Sequence, residues 1–169
     1  MAFPPLVMSA ALLALGITCT PASALAQGQD EQLKAAYILN IALFTTWPPV
    51  ASAPRSMTVC ASPRHALWDS LRQIDGRDVN GRAWTTVDAA LGKACDIVVL
   101  AAAATPRNAP KTPGTALYVV DGLVQGAYAG AVVLVEESQH IRFDIDTREA
   151  ARAGITFSSR LLRLARNVL

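Results

Sequence analysis

The chain is predicted to be an α/β protein with a mostly parallel central sheet flanked by helices and an antiparallel hairpin near its C-terminal end. Short apolar, β-branched runs alternate with helix-compatible or turn segments through the middle of the sequence, which is the order typical of βαβ units. Two later strand-like runs, residues 131–136 and 141–145, are joined by only a few polar residues. Because a parallel crossover needs a dozen or more residues, these two strands are expected to form a hairpin.

The first 26 residues are predicted to be a secretory signal peptide. An apolar run over residues 6–17 is followed by Ala24-Leu25-Ala26, which suits signal peptidase cleavage just before Gln27. The run is shorter than the ~20 residues that a membrane span needs, which disfavours the alternative of a retained anchor. We therefore expect an exported chain with a single domain over residues 27–169 and no transmembrane segment in the mature form.

The charge balance limits the classes of partner. The chain carries 15 basic and 13 acidic residues and a formal net charge of +2. This balance gives no electrostatic basis for nucleic acid or an anionic membrane as the main partner. A domain of this length buries a core without needing metals or several disulfides.

The first helix of the domain is predicted over residues 31–44. Apolar residues recur there at helical spacing, and the second half is apolar on nearly every side, so the helix should be buried. Asn40 is the only polar residue in that half. Trp47-Pro48-Pro49 then stops the helix, because proline cannot continue it.

The middle of the chain is predicted to supply the central sheet. The run before residue 101 is continuously apolar and β-branched, which is typical of a central strand covered on both faces. The predicted elements are a strand at 57–61, a helix at 66–74, a strand at 82–87, a helical turn at 88–91, the central strand at 96–101, a loop at 105–115 and a strand at 116–120.

The chain after the hairpin is predicted to form two helices. Asp146 begins a capping-box sequence for a short helix that Gly154 ends. A terminal helix is predicted from about Ser159. Its apolar face, on which a homodimer is a possibility, is expected to comprise Leu161, Leu164, Ala165 and Val168.

No residue pattern points to catalysis, a metal site or a cofactor. His65 and His140 each stand alone in a loop context, without a second ligand at metal-binding spacing. Gly122, Gly126 and Gly130 recur every fourth residue, which fits neither a Walker A loop nor a dinucleotide fingerprint. We therefore expect a protein that is not an enzyme.

One pair of carboxylates has a spacing that acid–base chemistry can use. Asp144 and Asp146 lie two residues apart and would share a strand face. The structural interpretation is preferred, with Asp146 capping the next helix and Asp144 pairing with a nearby arginine such as Arg142 or Arg148.

The mature chain retains two cysteines, Cys60 and Cys95, in a compartment where disulfides persist. A single internal bridge is the simplest outcome, and a redox-active pair is the alternative, although the C-x-x-C spacing of oxidoreductases is absent. Cys60 lies late in its predicted strand and Cys95 just before its own. A bridge between adjacent parallel strands therefore requires an offset register, because Cα atoms more than about 7 Å apart cannot be joined.

The three tryptophans, Trp47, Trp68 and Trp84, are expected either in the core or in a ligand or partner surface. Trp47 is the strongest candidate for such a surface, because the adjacent prolines hold it at a helix terminus.

Several segments, in order, resemble the YfiR/HmsC family of bacterial periplasmic regulators. The resemblance spans essentially the whole mature chain. It departs at Ala129-Gly130, where the family commonly has a glycine pair, and at Asp146, where asparagine is common. The segments that carry the resemblance are the helix with its Thr-Thr-Trp-Pro end at 36–48, the strand at 57–60, the Ala-Cys-Asp step at 94–96, the strand at 118–121, the strand at 141–145 and the C-terminal stretches at 150–155 and 158–165.

The resemblance implies regulation in the periplasm rather than catalysis. Proteins of this family repress a partner diguanylate cyclase of the inner membrane by binding its periplasmic sensor domain, which lowers cyclic di-GMP and restrains biofilm formation. The family's cysteines correspond to Cys60 and Cys95, and their oxidation is linked to folding quality and so to repression.

A partner or ligand surface is expected at Phe44, Trp47, Pro48 and Arg160. The alternative is that these apolar residues only pack the end of the helix onto the sheet. A small-molecule-binding module, with its ligand at the carboxyl ends of the strands, is the alternative function on the same architecture.

Overall fold

The computed structural model describes residues 22–49, 56–91, 93–102, 114–122 and 130–169, with only the backbone described for residues 22–26. Residues 1–21 of the predicted signal peptide and most of the predicted loop at residues 105–115 lie outside the described residues, whereas the backbone at the predicted cleavage site before Gln27 is helical. In this part of the chain, no helix is long and apolar enough to cross a membrane.

The described elements follow the predicted alternation of helices and strands, with several short strands added. A 3₁₀ turn lies at Ala89–Leu91. The helices and strands are α1 Ala22–Leu43, β1 Thr45–Thr46, β2 Ser56–Ala61, α2 Trp68–Gln73, β3 Asp78–Val79, β4 Arg82–Asp88, β5 Ile97–Ala101, β6 Leu117–Asp121, β7 Val132–Glu137, β8 His140–Ile145, α3 Thr147–Arg152, β9 Thr156–Phe157, α4 Ser159–Leu162 and β10 Asn167–Val168.

The main sheet is mixed, with a parallel centre. Its strands lie in the order β10-β8-β7-β6-β5-β2-β4-β3. The five strands from β7 to β4 in this order are parallel to one another, as the sequence predicted. The edges depart from that rule, because β3 is antiparallel to β4 and β8 is antiparallel to β7, while β10 runs parallel to β8.

Helices cover one face of this sheet in the described chain. Val59 and Val99 point to a core cluster that includes buried side chains of all four helices. Cys60 and Val98 alternate with them and point to the opposite face, whose clusters contain no helical residue among those described and receive Ala89 from the 3₁₀ turn. The expected flanking of the sheet by helices is therefore confirmed for one face only.

α1 begins earlier than residue 31 and is buried along one side. Ile38 and Ile41 are almost inaccessible, whereas Leu43 and Asn40 are exposed. The apolar residues of its second half therefore do not all enter the core, and the Asn40 amide needs no buried partner.

The predicted hairpin is confirmed as β7 and β8, with Leu134 opposite Phe143. Ser138 and Gln139 form its two-residue turn with φ of 51° and 63°, the positive φ values that tight hairpins require.

Entry into β7 depends on Gly130, which has a φ of +69°. A Cβ atom at this position would lie 3.0 Å from the backbone oxygen of Tyr118 on β6. A side chain there would therefore press on β6, which would have to yield by a few tenths of an ångström.

Asp146 caps α3 as expected. One of its carboxylate oxygens accepts from the backbone N–H groups of Arg148 and Glu149, at 2.9 and 3.1 Å. Gly154 follows the helix with a φ of +69°, the left-handed conformation that commonly ends helices.

The predicted terminal helix is wrong beyond Leu162. α4 is a single turn, and residues 167–168 instead form a strand beside β8. Leu164 and Val168 are 65 % and 48 % exposed, and the continuous apolar helix face that made a homodimer a possibility does not form.

The predicted partner of Asp144 is also wrong. The partner observed in the structure explains why the terminal helix ends early. Arg166, rather than Arg142 or Arg148, donates from Nε and from a terminal nitrogen to the two Asp144 oxygens, at 2.9 and 2.6 Å. This pairing turns the chain after α4 back onto β8. Its hydrogen bonds to the Arg166 guanidinium hold the pKa of Asp144 below its ordinary value. Burial of the carboxylate acts in the opposite direction but is the weaker effect.

Candidate functional site

The predicted surface residues lie where α1 ends. The Thr45 hydroxyl donates to the Ile41 carbonyl at 2.7 Å and closes the last turn. β1 then pairs antiparallel with β9, and the Ser158 N–H donates to the Phe44 carbonyl at 2.9 Å. This pairing brings the segment of Phe44, Trp47 and Pro48 beside the segment that leads into Arg160. We call these four residues the β1–β9 corner.

The apolar residues of the corner are half-buried. Phe44 and Trp47 pack against the main core cluster, so the packing role considered from the sequence is confirmed for both. The Trp47 indole N–H is buried and has no hydrogen-bond partner among the described residues. Pro48 lies beside Gly154, where an added Cβ would meet the proline ring at 3.4 Å.

Arg160 is the charged residue of the corner. It lies in the single turn of α4, where the Ser158 side chain caps the helix by accepting from the Leu161 N–H at 3.2 Å. Its side chain is exposed and forms no hydrogen bond or ion pair with the rest of the described chain. A guanidinium in this state is free to bind a carboxylate or phosphate outside the molecule.

The two cysteines form the expected disulfide, with Cα atoms 5.8 Å apart. The register is offset, because β5 begins opposite Val59 and Cys60 lies opposite Val98. A straight continuation of β5 would place Cys95 about 10 Å away along the strand direction. The chain at Cys95 must therefore leave the line of the strand, and this bend resolves the geometric conflict that the sequence raised.

A charged group fixes the chain immediately after the bridge. Asp96 accepts from the Thr58 N–H at 2.7 Å and from Arg82 at 2.6 Å. Arg82 also donates to the Ser56 carbonyl through two nitrogens, at 3.2 and 2.7 Å. We call Thr58, Arg82 and Asp96 the amino-end cluster, because it joins the amino-terminal parts of β2, β4 and β5.

A second charged group lies at the opposite end of the parallel strands. Lys34 of α1 approaches Asp121, the last residue of β6, at 2.9 Å, and their side chains are only 18 % and 12 % exposed. His65 follows β2, and both Lys34 and Asp121 act electrostatically on its ring. We call Lys34, His65 and Asp121 the carboxyl-end cluster.

A family model described as YfiR/HmsC-like matches residues 31–166, which contain the corner, both cysteines and both clusters. The chain belongs to the YfiR/HmsC-like family. The resemblance drawn from the sequence is therefore confirmed. None of the curated proteins compared with the chain is similar enough to count as a match.

Membership of the YfiR/HmsC-like family gives a regulatory rather than a catalytic context to these groups. Within the described residues, no set of three or more His, Cys, Asp and Glu side chains is placed to hold a metal ion. Trp84 is buried in the core, and Trp68 packs against it with the Arg72 guanidinium 5.9 Å from its ring centre.

A shallow depression of about 400 Å³ lies beside α2, lined by Asp69, Arg72 and Gln73. None of these residues was predicted to bind a ligand, and none belongs to the corner. The depression therefore does not support the expectation of a ligand at Trp47 and Arg160.

Sequence reasoning missed the carboxyl-end cluster. His65 was assessed alone, and Lys34 and Asp121 were not considered together with it. The alternation of elements held the necessary signal, because residues that follow parallel strands meet at one edge of the sheet. The alternation of elements does not, however, predict which way the Lys34 side chain points from α1.

Proposed function

We propose that this protein is an exported periplasmic regulator that binds the periplasmic sensor domain of an inner-membrane diguanylate cyclase and represses it. Repression lowers cyclic di-GMP and restrains biofilm formation. The observation that carries the proposal is membership of the YfiR/HmsC-like family over residues 31–166.

The disulfide supports the proposed compartment. A bridge between Cys60 and Cys95 persists in an oxidising environment such as the periplasm and is rare in the reducing cytosol. Its proposed role is to fix β5 on β2, so that the regulator presents one rigid surface to the cyclase.

Repression needs no chemistry by the regulator. A rigid domain that binds the inactive conformation of the cyclase more tightly than the active one shifts the equilibrium by that difference in affinity. Moving the population from 1:99 to 99:1 requires a difference of about 5.5 kcal/mol.

The β1–β9 corner is the proposed contact surface. It combines half-buried aromatic side chains with an exposed arginine that is unpaired in the described chain. Tryptophan, tyrosine and arginine are the residue types that dominate binding energy at protein interfaces. Because the apolar part is already anchored in the core, the surface would lose little side-chain entropy on binding.

The first test measures intracellular cyclic di-GMP in a strain that lacks the gene, with and without the full-length protein supplied back. We expect cyclic di-GMP to rise on deletion and to return when the exported protein is restored, but not when residues 1–26 are omitted. Unchanged cyclic di-GMP on deletion would contradict the proposal and favour the small-molecule-binding alternative.

The second test concerns the corner. Arg160→Glu is expected to weaken binding to the periplasmic domain of the partner cyclase, identified by crosslinking to the exported protein, roughly tenfold, or about 1.4 kcal/mol, because it reverses a charge in the proposed contact. Titration calorimetry measures this change. Arg77→Glu is the matched control, since Arg77 is exposed on the turn before β3. Equal affinity of both variants would place Arg160 outside the interface.

A further inference from the structure

The carboxyl-end cluster occupies the place where the strand order of the sheet reverses. From β2 the chain passes through α2 to β4 on one side, and it then crosses to β5 on the other side. The carboxyl ends of β2 and β5 therefore flank the switch point. His65 lies there, in the turn that connects β2 to α2. Functional groups in α/β proteins concentrate at this position because the connections diverge and leave a crevice.

His65 has a defined protonation state in this position. Its Nδ1 accepts from the Leu67 N–H at 3.1 Å. Because a backbone N–H cannot accept a proton, Nδ1 must be unprotonated and the neutral ring carries its proton on Nε2. This bond fixes the turn that leads into α2, together with the donation from the His65 N–H to the Ser62 carbonyl at 2.9 Å.

The other ring nitrogen has no good partner. Nε2 is buried near the Leu100 carbonyl, but without the geometry of a hydrogen bond. Asp121 is similar, because its Oδ1 lies 2.9 Å from the Lys34 ammonium and yet receives no well-directed hydrogen bond from the described residues. The cluster therefore holds spare polar capacity in a buried place, which is costly in a purely structural group.

Three charged groups act on the ring from the elements packed around it. Glu31 and Lys34 lie on α1, and Asp121 lies on β6. Burial of the ring lowers the pKa of His65 below its ordinary value of 6.5, and Lys34 adds to this effect, while Asp121, the Leu100 carbonyl and Glu31 oppose it. The neutral ring is thus the form that the folded protein favours.

We propose that His65 is the proton-sensitive element of a latch that holds α1, the β2–α2 turn and the end of β6 together, and that protonation of its ring opens this end of the sheet. A protonated Nδ1 points a second N–H at the Leu67 N–H, so the bond that fixes the turn is lost. The new positive charge also competes with Lys34 for Asp121. Both changes loosen the contact between α1 and the carboxyl ends of the strands.

The direction of the pH effect follows from the lowered pKa. The unfolded chain protonates His65 around pH 6.5, whereas the folded protein resists protonation to lower pH. The stabilising effect of the neutral ring is therefore fully present above pH 6.5. It is lost as the pH falls from 6.5 to the folded-state pKa, and it changes no further below that value.

The test follows the two histidine rings and the Leu67 amide by NMR as the pH is lowered from 7.5 to 5. The chain has two histidines, so His65→Asn and His140→Asn assign both ring signals. We expect His65 to titrate below 6.5 and the Leu67 amide to lose its hydrogen-exchange protection over the same range, after correction for the intrinsic exchange rate. A His65 pKa at or above 6.5, or protection that does not change with pH, would overturn the proposal.

His65→Asn is also the informative variant for stability. Its side-chain oxygen takes the place of Nδ1 as acceptor for the Leu67 N–H but does not protonate, so the acid-induced shift of the unfolding midpoint should disappear. His140→Asn is the matched control, because His140 is exposed on the hairpin, and it should retain the wild-type shift. If His65→Asn retains the shift as well, the latch does not depend on this ring.

These measurements use the isolated protein and no partner. A failure of the proposed repression would therefore leave them unaffected, and a failure of the latch would leave the proposed repression untouched.

Discussion

The two ends of the parallel strands hold their charges in different ways. At the amino end, Asp96 accepts two hydrogen bonds, and Arg82 divides its donors between Asp96 and the Ser56 carbonyl. At the carboxyl end, Asp121 faces Lys34 without a well-directed hydrogen bond, and the nearby His65 Nε2 is buried without one. Both ends thus hold a carboxylate beside a cation, but the hydrogen bonds are complete at the amino end and incomplete at the carboxyl end.

This difference separates a structural role from a responsive one. A fully bonded charge has one favourable arrangement, so a change of pH near neutrality does not alter it. A buried group with spare donors and acceptors has a second arrangement within reach, and a proton selects between the two. The hydrogen bonds that a cluster lacks are therefore more informative about regulation than its charge.

The largest effect is expected from the disulfide, which precedes the amino-end cluster by one residue. The Cys60→Ser, Cys95→Ser double variant should lose about 3–4 kcal/mol of unfolding free energy, because the bridge closes a loop with a sequence separation of 35. Urea unfolding measures this loss. Reductant should lower the stability of the wild type by a similar amount and leave the variant unchanged; equal unfolding midpoints for both oxidised proteins would contradict the prediction.

An intermediate effect is expected from Asp96→Asn. The variant loses a charge-assisted bond to Arg82 and weakens the bond from Thr58, so unfolding free energy should fall by about 1–2 kcal/mol. Asp69→Asn on the exposed side of α2 is the control and should stay within about 0.5 kcal/mol of the wild type. If the two variants are equally stable, the hydrogen bonds of the amino-end cluster do not stabilise the fold.

Asp121→Asn should lower the unfolding free energy at pH 7 by about 1 kcal/mol, the smallest of the three effects, because the largely buried Lys34 ammonium loses its counter-ion but no well-directed hydrogen bond is lost. Its effect on His65 should be clear. Removal of the negative charge should lower the pKa of His65 further, so the acid-induced loss of stability should extend to lower pH. NMR titration of the ring measures this shift, and an unchanged pKa would show that Asp121 does not act on the latch.

The predictable parts of this fold are those in which local pattern and tertiary packing agree. The β-branched run at residues 97–101 forms a central strand, and the short polar connection between β7 and β8 forms a hairpin turn. The cap at Asp146 was also predictable, because its partners lie within three residues along the chain.

The C-terminal segment failed because a distant partner overrides its helical periodicity. Arg166 and Asn167 both donate to Asp144, 22 and 23 residues earlier in the chain. No local pattern reveals that attraction, which draws the chain into a strand after one helical turn. The same limit applies to Lys34 and Asp121, since only the assembled sheet places them face to face.

Of the candidate site, the sequence predicted the disulfide and the location of the β1–β9 corner at the end of α1. It did not predict the pairing of β1 with β9, because two-residue strands carry no alternation to detect. The family commonly has a glycine pair where this chain has Ala129-Gly130. The glycine that this chain keeps, Gly130, is the one against which β6 packs closely.

The close approach of Gly130 to β6, together with its positive φ, makes substitution at this position costly. Any side chain there would have to displace the Tyr118 carbonyl or the Val120 side chain, and it would also adopt an unfavourable backbone conformation. Such a substitution would destabilise the start of β7, where the hairpin of β7 and β8 joins the parallel strands through β6. Across natural variants, glycine should therefore persist at this position.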